Sequence, residues 1–264
     1  MRIRLLAPIV SALMTSHAAV AQTVHVEVRG QVDYNFLTTG ALAGVASGAP
    51  AVMRFDVDAS NFINSPSFPV RGYPINVGSF VMTAGSATIG LVNPQPAGTT
   101  PFLVIRDNDP AVDGFLVSAG IDFPIGIPIN TGVTNCVLNF LRTFDVGTVF
   151  PSRNVLDILG TYNFEHMSSY QWTIDRGPGT PFEVVYQSIR LYRSCLADVA
   201  ALGGGAGGDG QLTADDVVGY LAAFFAGNLA VADVASLGGA PQPDGQLTPD
   251  DLVVFLAAFF GGCQ

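Results

Sequence analysis

Short runs of alternating apolar and polar residues fill the chain from Thr23 to about residue 194. The clearest run, Val24 to Arg29, is apolar at every second position, as in a strand with one buried face. Gly, Pro, Asn and Asp occupy nearly every gap. The other predicted strands are 32–37, 52–57, 80–83, 87–92, 102–105, 115–118, 136–143, 170–174 and 182–192. Such short strands without helical segments between them predict a mainly β domain over 22–194, an antiparallel β-sandwich of jelly-roll type.

The pattern changes after Cys195, where one sequence segment occurs as two tandem repeats at an offset of 35 residues. Asp-Gly-Gln-Leu-Thr at 209–213 returns at 244–248, and Leu-Ala-Ala-Phe-Phe at 221–225 returns at 256–260. A duplicated unit of this size cannot bury its apolar face alone. We therefore expect the two copies to pack against each other.

Apolar residues recur at helical spacing in the second half of each copy. This predicts helices over 214–226 and 249–260, with the Phe-containing stripes forming the core between the copies. Part of each stripe is also a candidate surface for a partner, because so small a unit cannot hide four Phe completely. The copies span 196–228 and 231–263.

Each copy has the residue order of an EF-hand calcium loop. An Asp precedes the turning Gly, a backbone carbonyl follows it, and a carboxylate closes the site. Asp198 and Asp233 are the upstream carboxylates, although the segment that separates each of them from the turning Gly is longer than in an ordinary EF-hand loop. We therefore predict two calcium ions, with ligands Asp198, Asp209, Gln211, Thr213 and Asp216 in the first copy and Asp233, Asp244, Gln246, Thr248 and Asp251 in the second.

The same residues also fit a plain helix start. Thr213 would be the N-cap, acidic residues would occupy the first turn, and Pro249 would be the first helical residue of the second copy. From residue 194 onward there are eight Asp and no Lys or Arg. This like-charge density favours a bound divalent cation. Without one, the copies would be a purely structural helical hairpin.

Tandem loop-and-helix repeats of this kind resemble a dockerin. Cys195-x-Ala-Asp at the start, Asp-Gly-Gln-Leu-Thr-x-Asp-Asp before a helix ending Phe-Phe, and the final Gly262-Cys263 look like the bacterial GC-type dockerin. The resemblance implies a small all-α, tandem EF-hand-like module over 195–264. It also implies calcium-dependent docking onto a cohesin-like receptor or cell-surface scaffold. The recognition residues that it implies are Val217, Val218, Leu221, Leu252, Val253 and Leu256.

A disulfide between Cys195 and Cys263 would clasp the ends of this module, as the GC-type family implies. The third cysteine, Cys136, lies among apolar residues, which favours a buried, inert thiol over a nucleophile. The β-domain resembles an uncharacterised group of secreted bacterial β-domains, a likeness that carries no known activity.

The chain begins with features of a secretory signal peptide. Met1 to Arg4 is basic, Leu5 to Met14 is apolar, and Ala19-Val20-Ala21 is a small-residue cleavage site, so we expect cleavage after Ala21 and export. The mature chain has nine Arg and 21 acidic residues, a net charge near −12, and there is no Lys. This charge argues against nucleic acid as a partner, and we expect no membrane insertion.

Catalytic chemistry has weak support in the β-domain. There is no Gly-x-Ser-x-Gly motif, and the mature chain has only His25 and His166, which gives little support to a His-dependent triad or a zinc site. The alternative to a non-catalytic binding protein is a glycoside hydrolase that uses the paired carboxylates Glu165 and Glu183.

Two further features of the β-domain have competing interpretations. Tyr170 and Trp172 are two residues apart on one strand, so they form either a sugar-stacking face or part of the core. Asp107, Asp109 and Asp113 are candidates for a third, structural calcium, or else they belong to a hairpin connection.

Overall fold

The structure, a computed structural model, describes residues 23–193, 195–208 and 211–262. The strands before Cys195 are β1 (Thr23–Asn35), β2 (Pro50–Asp58), β3 (Ile63–Asn64), β4 (Val70–Pro74), β5 (Val81–Ala84), β6 (Ala87–Leu91), β7 (Phe102–Arg106), β8 (Gly114–Ser118), β9 (Ile127–Asn130), β10 (Cys136–Phe144), β11 (Gly160–Tyr162), β12 (Met167–Arg176) and β13 (Gly179–Tyr192). The elements that follow are β14 (Ala200–Ala201), β15 (Gly205–Ala206), α1 (Ala214–Phe225), α2 (Leu229–Ala232) and α3 (Pro249–Gly261).

Eight antiparallel strands close into a barrel, in the order β1, β2, β5, β6, β9, β10, β12 and β13. β13 completes the ring by pairing with β1, from His25 opposite Tyr192 to Asn35 opposite Phe182. The seam between β6 and β9 is much shorter, since only Gly90 and Leu91 have partners there. The predicted jelly-roll sandwich is therefore wrong, although most of the predicted strands are present.

Bulges explain how one sheet can close on itself. The register between β1 and β13 shifts at Arg29/Gly30 and again at Val32/Tyr34, and β12 shifts against β13 at Ile174/Arg176. Each extra residue increases the local twist and bends the strand, which is what closure of a barrel requires. Gly30 sits at the first shift, facing Val184 and Trp172. The period-2 pattern fixes which side chains point inward but not which strands pair.

A smaller sheet extension leaves the barrel at β10. There β8 pairs with the second half of β10, followed by β7, β4 and the short edge strand β3. A small apolar cluster of Val70, Phe102, Val104 and Leu116 lies on this extension. The main core contains Trp172, Phe55, Phe140 and Phe182, each at most 1% exposed.

The region from Cys195 onward, called here the repeat region, contains strand as well as helix. β14 and β15 form a hairpin in the first copy, and Ser236 bridges to Ala240 in the second. Gly203 and Gly204 have φ of 91° and 82°, values that suit glycine in a tight turn. The prediction of an all-α tandem module is therefore wrong, because the glycine-rich spacers fold into turns and, among the described residues, each copy supplies only one long helix.

No helix within the described ranges is long and apolar enough to cross a membrane. The predicted signal peptide, residues 1–21, lies outside the described residues and stays a prediction.

Candidate functional site

The closing aspartate of the second repeat, Asp251, is fully buried in the first turn of α3. Its Oδ1 accepts the backbone N–H groups of Val234 and Ala235, both at 2.8 Å. Its Oδ2 accepts the N–H of Thr248 at 2.7 Å and the Thr248 hydroxyl at 3.2 Å. A carboxylate offers about four lone-pair directions, so donors within the protein use the whole group.

Asp216 repeats this arrangement 35 residues earlier. It is also fully buried, and its Oδ1 accepts the N–H groups of Val199 and Ala200, both at 2.9 Å. Its Oδ2 accepts the N–H of Thr213 at 2.8 Å and its hydroxyl at 3.4 Å. Both carboxylates thus connect the beginning of a loop to the beginning of the following helix.

The pKa of Asp251 reflects these contacts. Burial raises the pKa of this carboxyl, but N–H donors from Thr248, Ala235 and Val234 and the Thr248 hydroxyl act in the opposite direction. The net result is a pKa below the ordinary value of 3.8. The buried group is therefore ionised at neutral pH, held by donors of partial positive charge.

The other predicted ligands of the second repeat also contact backbone N–H groups. Asp233, 8% exposed, accepts the N–H of Asp244 at 3.0 Å and that of Gly245 at 2.6 Å. Asp244 accepts the N–H of Gln246 at 3.0 Å and that of Leu237 at 3.1 Å. The loop is therefore organised by carboxylate-to-amide bonds.

In the first repeat, Asp209 lies outside the described residues, and Gln211 is exposed. Asp198 lies beside Gly208 and lines a small cavity with His25 of the barrel. Within the described ranges, no three His, Cys, Asp or Glu side chains form a metal-binding group.

The predicted ligand set does not fit calcium in this arrangement. Calcium takes six to eight oxygen ligands, including a carboxylate that closes the loop. Asp216 and Asp251 have no acceptor capacity left for that role, and their bonds engage Thr213 and Thr248 as helix caps. The capping interpretation of these residues is confirmed.

The two long helices divide their apolar residues between a buried and an exposed face. After the first turn of α1, the exposed residues are Val218, Ala222 and Phe225, with Val218 66% and Phe225 81% exposed. The same positions of α3 hold Val253, Ala257 and Phe260, with Val253 62% and Phe260 81% exposed. We call these two sets the apolar stripes. Their spacing of four and three residues puts each stripe on one helix face.

The loop before each long helix carries one exposed leucine. Gly203 N–H donates to Asp215 of α1, and Gly238 N–H donates to Asp250 of α3, both at 2.8 Å. These bonds hold the loop tips against the helix starts. Leu202 and Leu237, next to the two glycines, are 73% and 81% exposed.

The structure places only two of the predicted recognition residues, Val218 and Val253, on this exposed surface. The other four pack partly buried against the core of the repeat region: Val217, Leu221, Leu252 and Leu256. Leu202 and Leu237 were not predicted to take part in recognition, and Phe225 and Phe260 were predicted only as members of apolar helical runs of which a part could face a partner.

The three acids predicted to hold a third calcium do not converge. Asp113 is fully buried and accepts the N–H groups of Asn108, Val149 and Phe150. Asp109 instead pairs with Arg106 at 3.2 Å. Asp107 accepts a bond from the Asn108 side chain, so this segment is a hydrogen-bonded connection between β7 and β8.

The candidate glycosidase residues lie on different elements. Glu165 is exposed in the loop between β11 and β12, and Glu183 lies in β13 opposite Tyr34.

Trp172 is fully buried and packs edge-on against Phe140, with 6.0 Å between the ring centroids. Of the two interpretations of Trp172, the core is therefore confirmed.

Cys136 is buried and has a free thiol, as expected. Cys195 takes part in a disulfide bond. Its predicted partner, Cys263, lies outside the described residues, so the pairing itself stays a prediction.

No family model matches the chain, and comparison with the curated proteins and the solved structures finds no similar sequence or fold.

Proposed function

We propose that this is an exported, non-catalytic binding and assembly protein whose repeat region docks the β-barrel onto a cohesin-like receptor or surface scaffold. The observation that carries the proposal is the pair of apolar stripes. Exposed large apolar residues occur singly on most proteins, but contiguous patches usually mark interaction sites. Here the same exposed positions are occupied in both copies.

The burial pattern of the helices supports this role for the stripes. In each copy, a separate face already supplies the core, through residues such as Tyr220 and Phe255, both fully buried. Phe225 and Phe260 are therefore not needed to hold the two copies together. Exposed Phe side chains of this kind fill pockets on a partner and supply much of the binding free energy.

The charge of the repeat region indicates the chemistry of the receptor. The region contains Asp but neither Lys nor Arg, and Asp215 and Asp250 lie one turn before the stripes. A complementary receptor would present an apolar patch with Arg or Lys at its rim. Rim charges act mainly on the association rate, so that rate should fall as salt is added.

The experiment is a binding titration of the full chain against immobilised recombinant cohesin domains. The test variant is Phe225→Ser/Phe260→Ser, and the control is Phe36→Ser, which removes a 72% exposed Phe from the barrel domain. We expect the double variant to bind at least about tenfold more weakly and the control to bind like the wild type. Absence of binding by the wild type, or equal loss in the control, would contradict the proposal.

A further inference from the structure

We propose that Asp216 and Asp251 take the place of a calcium ion, so that the repeat region keeps its loop geometry, and hence its docking surface, without a divalent cation. The statement about loop geometry does not depend on whether the region docks onto a receptor. The statement about the docking surface rests on the proposed function.

The structural reason is the direction of the donors. In a calcium loop, carboxylate oxygens converge on the cation. In the second repeat, both oxygens of Asp251, of Asp233 and of Asp244 accept backbone N–H groups instead. A cation at this position would have to displace those N–H groups from the oxygens that hold them.

The bonds of Asp251 also connect the two parts that a calcium ion would connect. They join Val234 and Ala235, at the start of the loop, to Thr248, at the start of α3. Backbone N–H groups at a helix start carry partial positive charge, which stabilises a buried carboxylate there. An Asp of this region whose oxygens accept backbone N–H groups in this way therefore does not require a cation to neutralise it.

The two copies make the inference stronger than either would alone. Asp216 makes the same four bonds to Val199, Ala200 and Thr213. The spacers between the upstream and turning Asp differ in sequence, Gly203 to Gly208 in one copy and Gly238 to Pro243 in the other. The aspartate contacts recur despite those differences.

The test is hydrogen–deuterium exchange of the full chain at the amides of Val234 and Ala235, in excess EDTA and in excess calcium. We expect equal protection in both solutions. Asp251→Asn should accelerate exchange at these amides by at least about tenfold, because its NH2 group would face an N–H donor. Asp250→Asn is the matched control, since Asp250 bonds to Gly238 instead.

Three results would overturn the inference. One is loss of protection in EDTA, and another is unchanged exchange at Val234 and Ala235 in Asp251→Asn. The third is saturable calcium binding that raises protection at these amides. A calorimetric calcium titration of the metal-stripped wild type answers the last point even if the variant does not fold. None of these readouts requires a receptor, so they are independent of the docking experiment.

Discussion

The rings of Tyr220 and Phe255 are stacked and nearly parallel, with centroids 3.8 Å apart and planes inclined by 11°. The two residues are 35 positions apart and occupy equivalent places in the two copies. Each is fully buried, and the Tyr220 hydroxyl donates to the carbonyl of Ala232 at 3.1 Å. The copies therefore pack through the same position of each helix, which confirms the expectation that the two copies pack against each other.

Removing either ring should destabilise the repeat region. We expect Phe255→Ala to lower its free energy of unfolding by about 3–5 kcal/mol, because the lost ring leaves a cavity against Tyr220. Calorimetric unfolding of the full chain measures this. Phe260→Ala, which truncates a ring that is 81% exposed, should change the free energy by no more than about 0.5 kcal/mol. Equal effects in the two variants would contradict the packing described here.

A methyl group at Gly30 should disturb the barrel. A Cβ there would lie 2.4 Å from the carbonyl oxygen of Val185 and 2.6 Å from Cγ1 of Val184. We expect Gly30→Ala to cost about 1–3 kcal/mol or more in unfolding free energy, measured by denaturant titration. Gly179→Ala is the control, because its nearest contact would be 3.8 Å away, and it should be close to neutral. A neutral Gly30→Ala would show that this part of the barrel is looser than described.

Glu27 should make the barrel sensitive to acid. Burial raises the pKa of this carboxyl, but hydrogen bonds from Arg29 and Arg54, at 2.5 and 2.6 Å, outweigh burial and lower the pKa below the ordinary 4.5. A pKa lowered by folding stabilises the folded state above the ordinary value and loses that contribution as the pH falls through the lowered one.

The measurement is the unfolding midpoint of the wild type and Glu27→Gln between neutral pH and about pH 2. The wild type should be more stable at neutral pH. Its advantage should shrink below pH 4.5, the ordinary value. Since the other acids titrate in both proteins, a constant difference across this range would rule out a lowered pKa for Glu27.

Local features of the fold were predictable, whereas the closure of the barrel was not. The alternating run at Val24 to Arg29 lies in β1, and the helix starts follow Thr213 and Thr248 as the capping residues predict. Pairing of β1 with β13 joins segments about 150 residues apart in sequence, a distance beyond any local signal. Alternation alone is equally compatible with a sandwich.

The candidate site, like the fold, was only partly predictable from the sequence. Residue order placed Asp216 and Asp251 at the closing position of a calcium loop, but it could not reveal which donors their oxygens face. The spacing of apolar residues predicted apolar side chains on two faces of α1 and of α3, but it did not tell the buried face from the exposed one. Phe224 packs partly buried on one face while its neighbour Phe225 lies exposed on the other, and only the packed structure separates the two.

The most direct test of docking is hydroxyl-radical footprinting of the full chain, alone and with a saturating recombinant cohesin domain. Exposed Phe side chains oxidise, so free protein should be modified at Phe225, Phe260 and the barrel residue Phe36, which are 81%, 81% and 72% exposed. Docking through the repeat region predicts that oxidation falls at Phe225, Phe260 or both, and is unchanged at Phe36. Unchanged oxidation at both stripes, or protection at Phe36 alone, would contradict it.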